Sequence, residues 1–351
     1  MFEFAMSTET IQAADFLVAS SRIPAADVRT PLEYEKGHIP GAALYPIFSN
    51  EERAEIGKLY AMQGKDIAVR KGLEMVGPRM GNYVEKALEI APHKEILLYC
   101  WRGGMRSASI AWLLDLSGFK VKILNGGYKG YRRYIQTAFK ESQRMSILGG
   151  YTGSGKTRLL EDLYDAGEQV IDLEALASHK GSTFGWIGEN QQPTQEQFEN
   201  ELGKEWIALD RGKTVWIEDE SINIGQVQIP RPFFLQMQAS PMVLIKRSFE
   251  ARVGQLVRDY SRDTAESLIL CFQRIQKRMG SDIARKAISF VEQGNLSDAA
   301  MIALEYYDKT YESQMRKRTG STYRVLDDQQ CGIDVHAIMN TMNAEEKSRK
   351  G

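Results

Sequence analysis

The chain has 351 residues, of which 43% are hydrophobic and 26% charged, and its formal net charge is −1. This length predicts two globular domains of ordinary size, and the composition excludes a disordered or fibrous protein. Three widely spaced cysteines, Cys100, Cys271 and Cys331, argue against a disulfide framework and a cysteine zinc site. The N-terminal segment lacks the basic region of a signal peptide, and no apolar stretch reaches the roughly 18 residues of a membrane span. We therefore expect a cytoplasmic protein that does not bind membranes.

The first predicted elements are a short strand at 27–29 and a helix around 32–36, separated by a polar turn. They carry the pattern D-V-R followed by E-Y-x-x-G-H-I-x-G-A, which resembles the rhodanese homology domain. That resemblance implies an active cysteine downstream, and we interpret His38 as a structural turn residue. The matching residues are Asp27, Arg29, Glu33, Tyr34, Gly37, His38, Ile39, Pro40 and Gly41.

The apolar run 95–99 delivers Cys100 to a glycine-arginine loop, and an amphipathic helix is predicted to begin after Ser107. Backbone N–H groups at a helix N-terminus can hold an anion beside the sulfur. Arg102 and Arg106 would favour the thiolate, because nearby positive charge lowers a cysteine pKa. We therefore predict that Cys100, Arg102 and Arg106 are catalytic and that Gly103, Gly104 and Ser107 bind the anion.

The loop from Cys100 to Ser107 has the spacing C-x5-R-S, one residue longer than the C-x-x-G-x-R-S of many single-domain rhodaneses. It is also the spacing of cysteine-dependent phosphatases, in which more backbone amides can encircle a tetrahedral group. A phosphatase is therefore an open alternative, although Tyr99 stands where such an enzyme should carry a histidine.

A strand at 120–124 and a helix at 130–139 continue an alternating pattern that predicts a parallel α/β sheet, so residues 1–140 are assigned to a rhodanese-like domain. The second α/β domain, 141–351, opens with a strand at 146–148. The segment GYTGSGKT that follows matches the Walker A pattern of P-loop NTPases and opens a predicted helix. Its backbone and lysine suit phosphate oxygens, and its threonine can ligate magnesium. The predicted phosphate-binding residues are Gly150, Gly153, Ser154, Gly155, Lys156 and Thr157.

Acidic residues follow two further predicted strands of this domain. Asp172 and Glu174 end the strand at 169–173, and Glu218, Asp219 and Glu220 follow the strand at 214–217 in a Walker B-like position. We predict that Asp172, Glu218 and Asp219 bind magnesium or substrate, with a solvated strand end as the alternative. Magnesium is a possible ion here, and no resident metal or tightly bound cofactor is assigned to the protein.

The C-terminal part is predicted to be helical and locally basic. Residues 242–286 contain ten Lys or Arg against five Asp or Glu, whereas residues 188–220 contain nine acids against three bases. A basic helical surface bearing tyrosines suits RNA, although charge runs are also found on ordinary solvated faces. We assign tRNA binding to a region of about 246–318, with candidates Arg247, Arg274, Lys277 and Arg278. A last strand is predicted at 323–326 and a frayed tail from Asn343.

The motifs together resemble the bacterial tRNA 2-selenouridine synthase family over nearly the whole chain. The resemblance rests on YCWRGGMRS and GGYTGSGKT and on further segments such as NGGYKGYR, DLEALASHKGSTFG and QRIQKRMG. It implies S-geranylation of wobble 2-thiouridine by geranyl diphosphate, in tRNAs for lysine, glutamate and glutamine. Selenium from selenophosphate then replaces the geranylthio group, with Cys100 carrying it as a selenopersulfide. On this view the Walker loop would hold the diphosphate, and we expect a monomer.

Two other function classes remain open besides the phosphatase. A Walker loop most often binds ATP or GTP, so the chain could be a kinase or ATPase with a regulatory rhodanese domain. It could also be an RNA-binding module with two decayed catalytic domains, although the intact Cys100 and Lys156 speak against decay.

Overall fold

The computed structural model describes residues 8–261, 264–316, 323–328 and 333–341. Contacts divide the chain into two compact units, Met1–Ala138 and Phe139–Gly351. Both are α/β with parallel sheets, which confirms the predicted fold class. Across the described ranges, none of the helices combines the length and the apolar character that crossing a membrane requires. Cys331, Arg262 and the tail from Asn343 lie outside the described residues.

The first unit is built around a parallel sheet with the strand order β1-β5-β4-β2-β3 in its described part. Its strands are β1 Glu9–Ile11, β2 Ala25–Asp27, β3 Ala43–Leu44, β4 Glu95–Tyr99 and β5 Lys120–Leu124. Its helices are α1 Ala13–Ala19, α2 Pro31–Lys36, α3 Asn50–Gln63, α4 Lys65–Val76, α5 Met80–Ile90, α6 Met105–Leu116 and α7 Gly127–Ala138, with a short 3-10 turn, Gly77–Arg79, before α5.

Cys100 follows β4, the central strand of this sheet, and a buried apolar core that includes Ile96, Leu98, Ile110 and Leu114 fixes that strand against α6. Helix α6 begins at Met105, three residues earlier than predicted, because the extended backbone of Gly104 stands at its N-cap. Ser107 therefore lies in the first helical turn. The loop between β4 and α6 is accordingly shorter than the sequence pattern indicated.

The second unit has a parallel sheet with the described strand order β12-β11-β6-β8-β7. Its strands are β6 Met145–Gly150, β7 Gln169–Ile171, β8 Val215–Glu218, the short antiparallel pair β9 Asn223–Ile224 and β10 Val227–Gln228, β11 Met242–Lys246 and β12 Tyr323–Asp327. Its helices are α8 Lys156–Asp165, α9 Leu173–Ala177, α10 Gln195–Ala208, α11 Arg231–Ala239, α12 Phe249–Tyr260, α13 Ala265–Met279, α14 Ser281–Glu292 and α15 Leu296–Met315, and a further helix covers 335–341.

The sheet positions the Walker loop between β6 and α8, next to the end of β8. The helical part packs through its own apolar cluster, which includes Phe184, Phe272, Ile275 and Ala303. Helix α11 begins beside two prolines, Pro230 and Pro232, which stand at the helix start, where proline is tolerated.

Candidate functional sites

The Cys100 thiol is almost fully buried and is held by its own loop. Its Sγ accepts a hydrogen bond from the Gly104 N–H at 3.3 Å and lies 3.2 Å from the buried Ser107 hydroxyl. Burial opposes ionisation of the thiol, but the Ser107 hydroxyl and the backbone N–H groups of Ser107, Arg102 and Gly104 outweigh it and lower the pKa of Cys100. The loop therefore favours a thiolate nucleophile.

The two loop arginines have different surroundings from those expected. The Arg106 guanidinium donates to both Glu33 carboxylate oxygens, at 2.7 and 3.2 Å. Burial opposes ionisation of that carboxyl, yet the bonds from Arg106 hold the pKa of Glu33 below its usual range. Arg102 contributes its backbone N–H to the thiolate. Ser107 and backbone amides thus supply the stabilisation that the sequence assigned to guanidinium charge.

Glycines allow the loop to pack tightly on the start of α7. Gly103 and Gly127 have φ of +66° and +56°, and a Cβ on Gly127 would lie 2.3 Å from the Cys100 carbonyl oxygen. The Tyr128 and Lys129 N–H groups donate to the Cys100 and Trp101 carbonyls at 2.8 and 3.0 Å. The predicted site did not include these contacts between α7 and the cysteine loop. The motif NGGYKGYR, which supplies them, was visible in the sequence.

A fully buried ion pair lies beneath the loop. Arg29 donates to Asp27 at 2.6 Å and to the Gly37 carbonyl at 2.7 Å, and both side chains of the pair are 0% exposed. The Arg29 guanidinium also lies 3.9 Å from the Tyr128 ring centroid. The rhodanese-like segment at 27–41 therefore braces the strand end and the helix that carry the cysteine loop.

A cavity of about 460 Å³ opens beside Cys100 within the first unit. One wall is the cysteine loop, including Arg102, Arg106 and Met105, and the other is the hairpin of α3 and α4. Most of the hairpin side chains on this wall are apolar. The thiol thus adjoins both an anion-binding loop and an apolar wall.

The Walker loop has the expected geometry. Gly153 and Gly155 adopt φ of +77° and +79°, and α8 begins at Lys156, whose Nζ donates to the Gly150 carbonyl at 3.2 Å. A cavity of about 610 Å³ is lined by all six predicted phosphate-binding residues. They are Gly150, Gly153, Ser154, Gly155, Lys156 and Thr157. The arrangement suits a polyphosphate.

Three carboxylates beside this loop come together. Ligand atoms of Glu174, Glu218 and Glu220 lie within 4.8 Å of one another, and the buried Glu218 Oε2 has no hydrogen-bond partner. Burial raises the pKa of each, and neighbouring carboxylates reinforce it while Lys156 opposes it. The sequence analysis noted Glu174 and Glu220 but did not assign them to the site, because the cluster joins α9 to the end of β8.

The other two predicted acids have separate surroundings. Asp172 caps α9 by accepting from the Ala175 N–H at 2.8 Å, so it stabilises a helix start outside the cluster. Asp219 accepts from the Tyr311 hydroxyl at 3.1 Å, and that hydroxyl accepts from the Gly150 N–H at 3.1 Å. Asp219 therefore lines the phosphate cavity and is linked to the loop backbone through a tyrosine.

The predicted tRNA-binding residues are not one patch. Arg247 lies against the Walker loop, where a Cβ on Gly155 would be 3.3 Å from its guanidinium, and its buried Nε has no partner. Arg278 lines the phosphate cavity. Arg274 lies 5.1 Å from the Trp186 ring centroid and lines a neighbouring polar cavity, and Lys277 is exposed on the same helix.

A small apolar cavity of about 50 Å³ adjoins the phosphate cavity. The two share five lining residues, and the apolar one continues along α12, α13 and α15 past Phe184 and Phe272. The shared residues are Thr152, Ser182, Leu256, Tyr260 and Tyr307. The phosphate site thus has an apolar extension.

Comparison with known proteins gives matches to both units. A family model described as the tRNA 2-selenouridine synthase AAA domain matches residues 143–342, and a rhodanese-like domain model matches 12–134. A tRNA 2-selenouridine synthase of Marinobacter nauticus is 32% identical over 338 residues, covering 85% of this chain and 90% of the relative.

Two further synthases of the same name match over a shorter region. That of Nitrosomonas europaea is 38% identical over 246 residues, covering 68% of this chain and 63% of the relative. That of Bdellovibrio bacteriovorus is 40% identical over 249 residues, covering 68% of this chain and 64% of the relative. These two matches span less than two thirds of the relatives' own lengths.

Proposed function

The chain belongs to the tRNA 2-selenouridine synthase family, and we propose that it converts 2-thiouridine at the wobble position of tRNA into 2-selenouridine in the cytoplasm. The proposed tRNAs are those for lysine, glutamate and glutamine. The observation that carries a two-step reaction is the presence of two anion-binding loops in one chain, each adjoining an apolar cavity. The two loops suit an amphiphilic donor and an amphiphilic intermediate.

In the proposed first step, the thiouridine sulfur attacks the first carbon of geranyl diphosphate. The new bond is carbon to sulfur, the carbon–oxygen bond breaks, diphosphate leaves with the electron pair, and the N3 proton of the thiouracil ring passes to solvent. Lys156 and Arg247 lie where they would counter the charge on that leaving group. The phosphate cavity of about 610 Å³ has room for a diphosphate with an attached chain, and its apolar border beside Tyr260 suits that chain.

Magnesium fits this site on the chemistry of its donors. The Glu218 Oε2 is buried without a partner, and Glu174, Glu220 and the Thr157 hydroxyl offer the oxygen ligands that magnesium prefers. When bound, the ion would neutralise charge on the diphosphate. The three carboxyls, whose pKa values are raised, would release protons to hold it.

In the proposed second step, a selenium nucleophile forms a bond to C2 of the uracil ring as the C2–S bond breaks, and the geranylthiolate leaves with the electron pair. The donor is selenophosphate, whose phosphate end fits the loop amides around Cys100. Cys100 is proposed to carry the selenium as a selenopersulfide. Once selenium is bonded to C2, an added thiol attacks the Cys100 sulfur, the Se–S bond breaks, the selenium leaves with the electron pair as 2-selenouridine, and Cys100 is left as a disulfide that a second thiol reduces. Sulfur attack on selenium releases the phosphorus as phosphite, whereas orthophosphate would indicate that selenium reached C2 still bonded to phosphorus. Phosphorus NMR of the products distinguishes the two routes.

Binding of tRNA is assigned to the basic surface of α13. Arg274, Lys277 and Arg278 lie in its last two turns, and Arg278 also lines the phosphate cavity. Cations at that edge would hold the anticodon-loop phosphates near the donor, so affinity should fall steeply with salt.

The decisive experiment is mass spectrometry of wobble nucleosides after incubating 2-thiouridine tRNA with each donor alone and with both. We expect Lys156→Ala to leave 2-thiouridine unchanged and Cys100→Ala to stop at S-geranyl-2-thiouridine. Normal geranylation by Lys156→Ala would contradict the assignment of the Walker loop. Tight ATP binding undisturbed by geranyl diphosphate would favour a kinase or ATPase. Hydrolysis of a generic phosphomonoester that Cys100→Ser abolishes would favour a phosphatase.

A further inference from the structure

The hairpin of α3 and α4 supplies little to the packed core of its unit. Helix α3 has no fully buried residue, and α4 buries only Ala68 and Gly72. Both helices nevertheless carry apolar side chains. Stability of the core therefore does not account for the apolar character of the hairpin.

Those apolar side chains converge on the cavity beside Cys100. Tyr60 and Leu73, on the two hairpin helices, are 55% and 67% exposed, and Met105 on the opposite wall is 54% exposed. Ile56 and Val69 line the cavity between them. Large apolar side chains left in contact with water around one opening are typical of a ligand site. The cavity volume of about 460 Å³ lies within the roughly 300–1,000 Å³ of small-molecule sites.

The charges of the cavity indicate which kind of molecule enters it. Among the described residues that line it, three are arginines, Arg53, Arg102 and Arg106, and none is acidic, although Arg106 is already paired with Glu33 outside the lining. An apolar wall with cationic groups and a thiolate at one end suits a ligand that has an apolar chain joined to an anionic part. An S-alkylated nucleotide within an RNA strand has this chemistry, and selenophosphate alone does not.

We infer that the cavity between the cysteine loop and the α3–α4 hairpin binds the isoprenoid chain of the S-geranylated wobble nucleoside. The inference rests on the proposed function and adds a specificity site to its second step. The chain in the cavity places C2 of the base beside Cys100, and the geranylthiolate leaves with its chain still bound. Unalkylated 2-thiouridine leaves the cavity empty, so binding at Cys100 favours RNA that has completed the first step.

The test uses the full-length protein and anticodon stem-loop RNAs that carry S-geranyl, S-dimethylallyl or S-methyl 2-thiouridine. Dissociation constants are measured without selenophosphate, and single-turnover selenation is measured with it. We expect the wild type to bind S-geranyl RNA at least roughly 100-fold more tightly than S-methyl RNA, because nine fewer carbon atoms of the methyl compound are buried against the apolar wall. Dimethylallyl RNA should be intermediate.

Variants of exposed hairpin residues distinguish an effect on ligand binding in the cavity from an effect on folding. Leu73→Asp and Tyr60→Asp should each reduce the preference for geranyl over methyl at least tenfold. Met62→Asp is the matched control, because Met62 is an 80% exposed residue of the same helix as Tyr60 and does not line the cavity. It should keep the wild-type preference.

The outcomes distinguish this inference from the proposed function. Equal dissociation constants for the three RNAs would overturn the inference even if selenation proceeds. An equal loss of preference in Met62→Asp would also overturn it. Chain-length-dependent binding that Leu73→Asp abolishes, without any selenation by the wild type, would support the cavity and overturn the proposed second step.

Discussion

The two anion-binding loops differ in how completely the fold prepares their charges. The Cys100 thiolate is stabilised by bonds already present, from Ser107 and from backbone N–H groups. The Walker loop instead faces three carboxyls whose burial raises their pKa values, with one oxygen of Glu218 unpaired. The first loop is organised to act on a single small anion. We propose that the second needs added cations before it can hold a polyanion.

The difference follows from what surrounds each loop. The cysteine loop lies on a closed frame made by the Asp27–Arg29 pair and the glycine-rich start of α7. The phosphate loop lies at the carboxyl end of the central strand β6, where acids from α9 and from the end of β8 surround one lysine. Substitutions beneath Cys100 should therefore change the stability of its loop, whereas changes at the Walker loop should alter its binding of ions and diphosphate.

The largest expected effect is loss of the frame beneath Cys100. Asp27→Ala leaves the Arg29 guanidinium buried without its carboxylate, which should destabilise the first unit by roughly 3–5 kcal/mol. Hydrogen-exchange mass spectrometry, which reports each unit separately, measures the change. The second unit should keep its protection.

The matched control is the exposed pair of Arg285 and Asp282, in which Asp282 is 90% exposed. Asp282→Ala should change stability by less than about 1 kcal/mol. Equal effects of the two substitutions would mean that the buried pair does not support the cysteine loop.

The next effect concerns the acids at the Walker loop. Glu218→Gln or removal of magnesium should weaken diphosphate binding by roughly 10–100-fold, measured by calorimetry, because the site then lacks a cation between its carboxylates and the phosphates. The raised pKa values keep the acids protonated at low pH, so magnesium affinity should increase as the pH rises.

Asp172→Asn is the control, because that side chain caps α9 and asparagine also caps helices. It should retain diphosphate affinity. Alkylation of Cys100 should be indifferent to magnesium. Diphosphate binding by Glu218→Gln that equals that of the wild type would exclude the acid cluster from the site.

The sequence predicted both loops because each is a contiguous segment whose chemistry is local. The Walker pattern predicted six phosphate-binding residues, all of which line one cavity. The apolar strand before Cys100 predicted that the thiol lies at the carboxyl end of the sheet. No single segment predicts the acid cluster, because it joins Glu174 in α9 to acids 44 and 46 positions later, at the end of β8. Asp172 and Glu174 are only two residues apart. Because α9 begins at Leu173, Asp172 becomes its N-cap and Glu174 joins the acid cluster.

The hairpin cavity also could not be predicted. The apolar residues of α3 do not form a stripe that packs on the core, and the helix buries none of its residues, so its sequence is a polar helix with scattered apolar positions. The apolar side chains of α3 face one cavity only once the fold has placed α4 and the cysteine loop around them. The origin of thiolate stabilisation was likewise hidden, because backbone N–H groups carry no sequence signature.

The smallest expected effect tests that origin directly. The Ser107 hydroxyl lies 3.2 Å from Cys100 Sγ, and a hydrogen bond to a charged group contributes about 1.5–3 kcal/mol, or about one to two pKa units. Ser107→Ala should therefore raise the pKa of Cys100 and slow its alkylation by iodoacetamide roughly tenfold below that pKa. The rate plateau at high pH should be unchanged, because the thiolate itself is the nucleophile. Peptide mass spectrometry follows Cys100 separately from Cys271, whose pKa burial raises to about 11.

Ser109→Ala provides the control, since Ser109 lies on the same helix at the cavity wall and makes none of the contacts that lower the pKa of Cys100. Its alkylation profile against pH should superimpose on that of the wild type. If Ser107→Ala also superimposes, while Arg106→Leu shifts the midpoint upward, the stabilising charge would be the guanidinium after all. The cysteine loop would then resemble the Walker loop in depending on cationic side chains, and the contrast between a site organised by its backbone and one organised by bound ions would not hold.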